Sequence, residues 1–405
     1  MRHLARLVAR LLATGFVLLT AAVGTGSAQA TAPSPATVRP ALAGQAGTQS
    51  KPVATSPAPA GTGQAAKAKG SAAPARRWEV EFHAGGSFGS YPVTGTSGTL
   101  PAAESFVTIV GASSRRVSTW YVGEGATLLN QVNDAVHATQ HITPLDTALT
   151  AASVERGKGT NIGGRVARVL SARWRAEATV DYSSASLGLT GSARSAIESS
   201  RASFITAWNG LIATGPFYNS NVTSTATLTG GSGGQLFVTG AVSYDLATKG
   251  RARPYVTAGL GVVSNLGTPP EIRMVGNYSF AISRVYPISE TDTVTVRFTT
   301  PSSSLLGVFG GGVRYDLGRR WGLRADVRDY VLKPGIEVRI DASPSVATQS
   351  PAMALASFTS PSIQFSSRST LTSTLSGPSQ TDVRMFTGNG TAHRVGVSAG
   401  IYWRF

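Results

Sequence analysis

Charged side chains recur at every second position along several stretches of this 405-residue chain. Glu79 and Glu81 alternate with Trp78, Val80 and Phe82 in "WEVEFHAGGSFG". Glu177 and Asp181 alternate with Ala176, Ala178, Val180 and Tyr182. Arg324, Asp326 and Arg328 repeat the pattern, and Arg314 and Arg394 sit in similar stretches. Residues two apart on an extended chain share a face, so these charges belong to the polar faces of strands. Gathered away from water, acids and bases must pair, because an unpaired buried charge is costly. The chemistry on offer is therefore an ion-paired network of Glu79, Glu81, Glu177, Asp181, Arg314, Arg324, Asp326, Arg328 and Arg394. Arg165 and Arg168 have opposite parity on one stretch, and the pattern does not choose between them.

Catalytic patterns are weaker. Residues 85–89, 230–234 and 396–400 each match G-x-S-x-G. That motif presents a nucleophilic serine only at a tight strand-to-helix turn. The first and third lie inside alternating stretches, and forty-six glycines produce such matches by composition. His83 shares its face with Ser87, whereas His393 falls on the apolar side, so no compact Ser–His pair supports a lipid-modifying hydrolase. His137 and His141 have the i, i+4 spacing of a metal grip but no further ligand nearby. The sequence assigns no catalytic residue, no metal and no cofactor, and predicts a protein that is not an enzyme.

The elements that must position the charges are strands. Eight stretches alternate in this way, from "RRWEVEFHAGGSFG" to the final "AHRVGVSAGIYWRF". Second joins third, fourth joins fifth and sixth joins seventh through a few residues near Arg173, Lys249 and Arg319. The remaining connections are long and rich in Ser, Thr and Gly. Short turns at one end and long loops at the other describe an all-β fold: an eight-stranded antiparallel up-and-down transmembrane β-barrel with long extracellular loops. Two loops carry helical spacing, "EGATLLNQVNDAVHA" and "SARSAIESSRASFITAWNGLI", and predict short helices that cap the barrel mouth. Alternation alone also suits a soluble barrel, with its apolar face inward. Aromatics near strand ends favour the membrane, where such rings sit at the lipid interfaces. These are Trp78, Trp174, Tyr244, Tyr255, Tyr315, Trp321, Tyr330 and Trp403. An eight-strand interior is just wide enough for side chains to fill it, so a wide pore is not expected.

Residues 1–30 read as a secretory signal, with three arginines, an apolar run and "SAQA". Residues 31–77 are Ala/Pro/Gly/Ser/Thr with scattered bases, a disordered linker. The barrel is assigned to 78–405. There is no cysteine, so no disulfide framework and no thiolate metal site.

The terminal strand places Val395, Val397, Ala399, Ile401, Trp403 and Phe405 on one face and ends "YWRF". It looks like the C-terminal signal of bacterial outer-membrane barrels. With "RPYVTAGLG" and the strand count, residues 78–405 resemble the small outer-membrane barrel superfamily of the OmpA transmembrane domain, the opacity proteins and the OmpW-like proteins. The resemblance implies an outer-membrane location with a periplasmic linker, and contact with lipid and lipopolysaccharide. It implies that Tyr402, Trp403 and Phe405 are read by the barrel-assembly machinery. Deleting Phe405 should then remove at most one ladder hydrogen bond. A monomer is expected, with no nucleic-acid partner and an extracellular ligand that the sequence does not name. The expected role is structural or surface interaction. The alternatives are a narrow channel for small or hydrophobic solutes, as OmpW-like proteins suggest, and a lipid-modifying enzyme.

Overall fold

The computed structural model describes residues 78–89, 94–107, 113–146, 148–150, 153–282, 284–346, 355–359, 362–366 and 377–405. The segments assigned to a signal and a linker lie outside the described residues. Eight strands close into an antiparallel barrel. They are β1 (Trp78–Gly89), β2 (Gly159–Val169), β3 (Trp174–Ser184), β4 (Gln235–Asp245), β5 (Ala252–Asn265), β6 (Ser303–Asp316), β7 (Trp321–Leu332) and β8 (Ala392–Arg404). Each pairs with its neighbours in sequence, and β1 pairs with β8 to close the ring. At the seam, Trp78 and Phe405 exchange both backbone bonds, at 3.0 and 2.9 Å. The expectation of at most one ladder bond at Phe405 is therefore corrected to two.

Three tight turns join β2–β3, β4–β5 and β6–β7. Leu170, Leu246 and Leu317 open them, each donating its N–H across the turn to Trp174, Pro254 and Trp321. The middle turn needs Gly250, whose φ of 94° disfavours a side chain.

The polarity of the barrel is inverted relative to a soluble one. Phe82, Leu260 and Leu305 point outward and are 70%, 75% and 80% exposed. The acids and arginines of the same strands are buried inside. Water would not tolerate this wall; hydrocarbon would. Among the described residues no helix is long and apolar enough to cross a membrane.

The four long connections are not merely loops. Each contributes at least one strand to a second sheet, in the order Gly95–Ser97, Gln380–Gly388, Glu337–Ala342, Tyr286–Thr299, Glu271–Ile282 and Phe217–Thr229. Ser345–Val346 adds to Tyr286–Thr299. Two helices accompany this sheet: α1 (Glu124–Ala135) and α2 (Gly191–Ala213). At 23 residues α2 is not the short helix expected. Its first turn is capped by Thr190, whose side chain accepts the N–H of Ala193. Ile197, Phe204, Trp208 and Leu211 lie on one stripe and are buried. Trp208 stacks on Tyr278 at 3.7 Å and meets the edge of Trp120 at 5.3 Å. Phe204 stacks on Tyr121 at 4.8 Å over Gly276, where an added Cβ would lie 2.4 Å from the Phe204 ring. The larger apolar core of this chain thus lies in the cap, with a smaller one around Phe237, Val308 and Tyr330 at the upper barrel.

Candidate functional site

The barrel interior is the site, and the alternation of each strand builds it. Around the ring β3 and β7 stand four strands apart, on opposite walls. Glu177 of β3 nevertheless bonds directly to β7. Arg324 grips it with both terminal nitrogens, at 3.0 and 3.1 Å, and Arg328 adds a third bond at 3.1 Å. Arg314 and Arg165 approach the same carboxylate at 3.4 and 3.7 Å. The lumen is bridged across its diameter by charge-assisted hydrogen bonds, the stronger kind.

Asp326 is a second acidic hub beside Glu177. It accepts from Arg165 at 2.9 Å, Arg328 at 3.2 Å, Tyr255 at 3.0 Å and Ser398 at 2.6 Å. Arg165 also donates to Glu81 at 3.1 Å. The Tyr255 ring has the Arg314 and Arg324 guanidinium groups both 4.3 Å from its centre, a double cation–π contact.

Above this level, His83 Nε2 lies 2.6 Å from Asp181, and its Nδ1 lies 3.3 Å from Glu81. Tyr330 donates to Asp181 from the far wall at 3.2 Å. Gly163 makes this layer possible: a Cβ there would sit 1.9 Å from Asp181 Oδ1. Below, Asp245 accepts from Arg175 at 2.6 Å and from Arg314 at 2.9 Å. Arg404 donates to Glu79 at 2.8 Å and reaches Asp316, which also accepts from Tyr402.

The nine charges singled out from alternation are all buried inside the barrel. The contacts above bring eight of them together; Arg394 lies higher, with its guanidinium 5.8 Å from the Phe237 ring centre. Of the ambiguous pair, Arg165 is inward and 2% exposed, whereas Arg168 is outward with its guanidinium over the Trp78 ring. Arg175, Asp245, Arg404 and the inward tyrosines were missed. Parity could have found them: Arg175 shares that of Glu177, and Asp245 that of Ser243.

Two aromatic expectations are corrected. Tyr255 and Tyr330 are not interface residues; they are 2% and 5% exposed and point into the lumen. Being near a strand end did not decide their direction; the parity they share with Thr257 and Arg328 did. Tyr402 likewise turns inward, away from the face that Trp403 and Phe405 share. Trp78, Trp174, Tyr315 and Trp321 do face outward at the short-turn end.

The serine and histidine motifs do not assemble. Residues 85–89 and 396–400 lie within β1 and β8. Ser87 bonds to Ser183, not to histidine. His141 pairs with Asp134 on the surface, and among the described residues no cluster of three potential metal ligands occurs.

A closed barrel with an apolar outer wall and an ion-paired interior is a membrane-spanning β-barrel. No protein-family profile and no curated protein sequence matches the chain. Solved structures similar to it include the outer membrane protein OprG from Pseudomonas aeruginosa, at 10% identity and a TM-score of 0.30, with 81% of this chain and 95% of that one covered. A major outer membrane protein from Thermus thermophilus shares 11% identity at a TM-score of 0.27, covering 82% and 100%. Likeness at this level says nothing about ligand, activity or partner.

Proposed function

We propose that this chain spans the bacterial outer membrane as a plugged barrel whose business lies in its exported cap, in a structural or surface-interaction role without catalysis. The observation that carries this is the Glu177 carboxylate of β3 held by Arg324 and Arg328 of the opposite wall. Opening a path there means separating buried ion pairs, each of which costs several kcal/mol once a partner is removed. The expected result in a planar bilayer at neutral pH is no steady conductance from the purified, refolded chain. Regular open steps of uniform size would return the narrow-channel reading and remove this one.

Orientation follows from the sorting of the loops. The cap faces the outside and the tight turns face the periplasm. Because the chain has no cysteine, single-cysteine variants can report this. A membrane-impermeant maleimide on intact cells should label Arg284→Cys, at an exposed hairpin tip, and spare Lys249→Cys. The opposite labelling would invert the topology.

Phe405 is proposed as an assembly signal. It is 56% exposed on the wall, with its ring tilted against that of Trp403 at 5.2 Å between centres. Phe405→Ala keeps both seam bonds, so refolding into detergent should be near normal while yield in outer-membrane fractions collapses. Equal membrane yields would leave Phe405 as an ordinary strand residue.

A further inference from the structure

We propose that the short-turn rim of the barrel is a binding surface for the phosphate headgroups of anionic phospholipids. The inference rests on the membrane-spanning reading and concerns what that reading leaves open, the lipid chemistry at one end. The three turns share a pattern. Each opens on an outward leucine, Leu170, Leu246 and Leu317, at 52%, 54% and 58% exposure. Each then presents exposed bases: Arg173 in the first, Lys249 and Arg251 in the second, Arg319 and Arg320 in the third. No aspartate or glutamate lies among residues 170–173, 246–251 or 317–320.

The nearest acids are already committed. Asp245 is held by Arg175 and Arg314, Glu79 by Arg404, and Asp316 by Arg253 and Arg404. Among the described residues, Lys249, Arg251, Arg319 and Arg320 have no ion-pair partner. Some bases of the cap are matched by acids, Arg115 by Glu124, Arg201 by Glu198 and Arg339 by Glu337 and Asp382, and others there, such as Arg273 and Arg284, are exposed. What sets the rim apart is the repetition: on all three turns exposed bases follow an outward leucine, with no acid among them.

The apolar groups fix its depth. Outward Trp174 and Trp321 follow the first and third turns directly, and indole rings favour the headgroup level. Arg173 is tied to that level by its bond to the Tyr244 hydroxyl at 2.5 Å. Leucine and indole reach into the acyl boundary while arginine and lysine snorkel back to the phosphates. Guanidinium groups take phosphate oxygens in bidentate fashion, and basic groups near an anionic surface add roughly equal increments of attraction.

The test uses the full chain refolded into nanodiscs of phosphatidylcholine with a minor share of phosphatidylglycerol. Lipids that stay with the protein after mild detergent stripping are counted by mass spectrometry. The wild type should retain phosphatidylglycerol enriched about fivefold or more over input, with the enrichment falling in high salt. A variant carrying K249Q, R251Q, R319Q and R320Q should return towards the input ratio. It keeps Arg173 and its tyrosine bond, so a folded barrel is expected and is checked by tryptophan fluorescence. Retention at the input ratio by a wild type that inserts normally overturns the rim inference alone. Failure to insert into any bilayer overturns the membrane reading beneath it. Binding of soluble polyglutamate by protein in neutral discs, without phosphatidylglycerol enrichment, overturns the proposal in favour of a soluble polyanion.

Discussion

Glu177→Gln is expected to destabilise the barrel by about 3–5 kcal/mol, more than any other single charge removal in the lumen. The substitution keeps the shape of the side chain and removes its charge. Four guanidinium groups, from Arg165, Arg314, Arg324 and Arg328, then lose a shared counter-ion in a space nearly closed to water. Asp326 still serves three of them, but Arg314 is left with Asp245, which it shares with Arg175. Arg324→Ala should cost less, because Glu177 keeps Arg328 and Arg165. The double variant Glu177→Gln/Arg324→Met should recover part of the loss, since removing both members of a buried pair is milder than removing one. Denaturant unfolding in detergent, followed by tryptophan fluorescence, reads all three. Glu198→Gln, on the exposed face of α2, serves as the control and should leave the midpoint where it is. An unchanged midpoint for Glu177→Gln would mean that water reaches the carboxylate and that the lumen is not plugged.

That prediction could be framed from sequence because period two carries through the wall of the barrel. All eight barrel strands were legible for the same reason: one face needed lipid and the other needed partners. What alternation could not supply was distance. Nothing in the chain says that Glu177 reaches β7 across the lumen rather than a neighbouring strand. Tyr255 and Tyr330 show a second limit. A position rule for aromatics competed with parity, and parity was right. The cap sheet shows a third. In Tyr286–Thr299 the buried face runs Ile288, Glu290, Asp292, Val294, Val296 and Phe298. Two acids in the middle of that face hid a strand inside what reads as a polar loop. The helices were visible because α2 sets Ile197, Phe204, Trp208 and Leu211 on one stripe without any charge among them.

The acid at the centre of that disguised strand should make the cap sensitive to pH. Asp292 is fully buried beneath α2 and the segment around Trp120. Its Oδ2 accepts the Trp120 N–H at 2.6 Å and the Thr119 hydroxyl at 3.0 Å. Its Oδ1 has no hydrogen-bond partner, which leaves room for a proton. Burial is the largest influence and pushes the carboxyl up to about 7, against the two hydrogen bonds that favour the ionised form. An unfolded aspartate ionises near 3.8. Between those values the folded cap holds a proton that the unfolded chain has released, so stability falls as pH rises from about 4 to about 7 and is level above it. The full span corresponds to on the order of 4 kcal/mol. Burial likewise raises the neighbouring Tyr121 phenol, which stays neutral throughout this window. Trp120 and Trp208 lie in the same core and report its unfolding. Thermal melts should therefore give a cap transition several degrees higher at pH 5 than at pH 8. Asp292→Asn should flatten that dependence even if it lowers the transition at every pH. A wild-type transition that rises from pH 5 to pH 8, or a slope that survives in the asparagine variant, would place the proton on another group. Because the four long connections share this one core, a change at Asp292 acts on the whole cap at once.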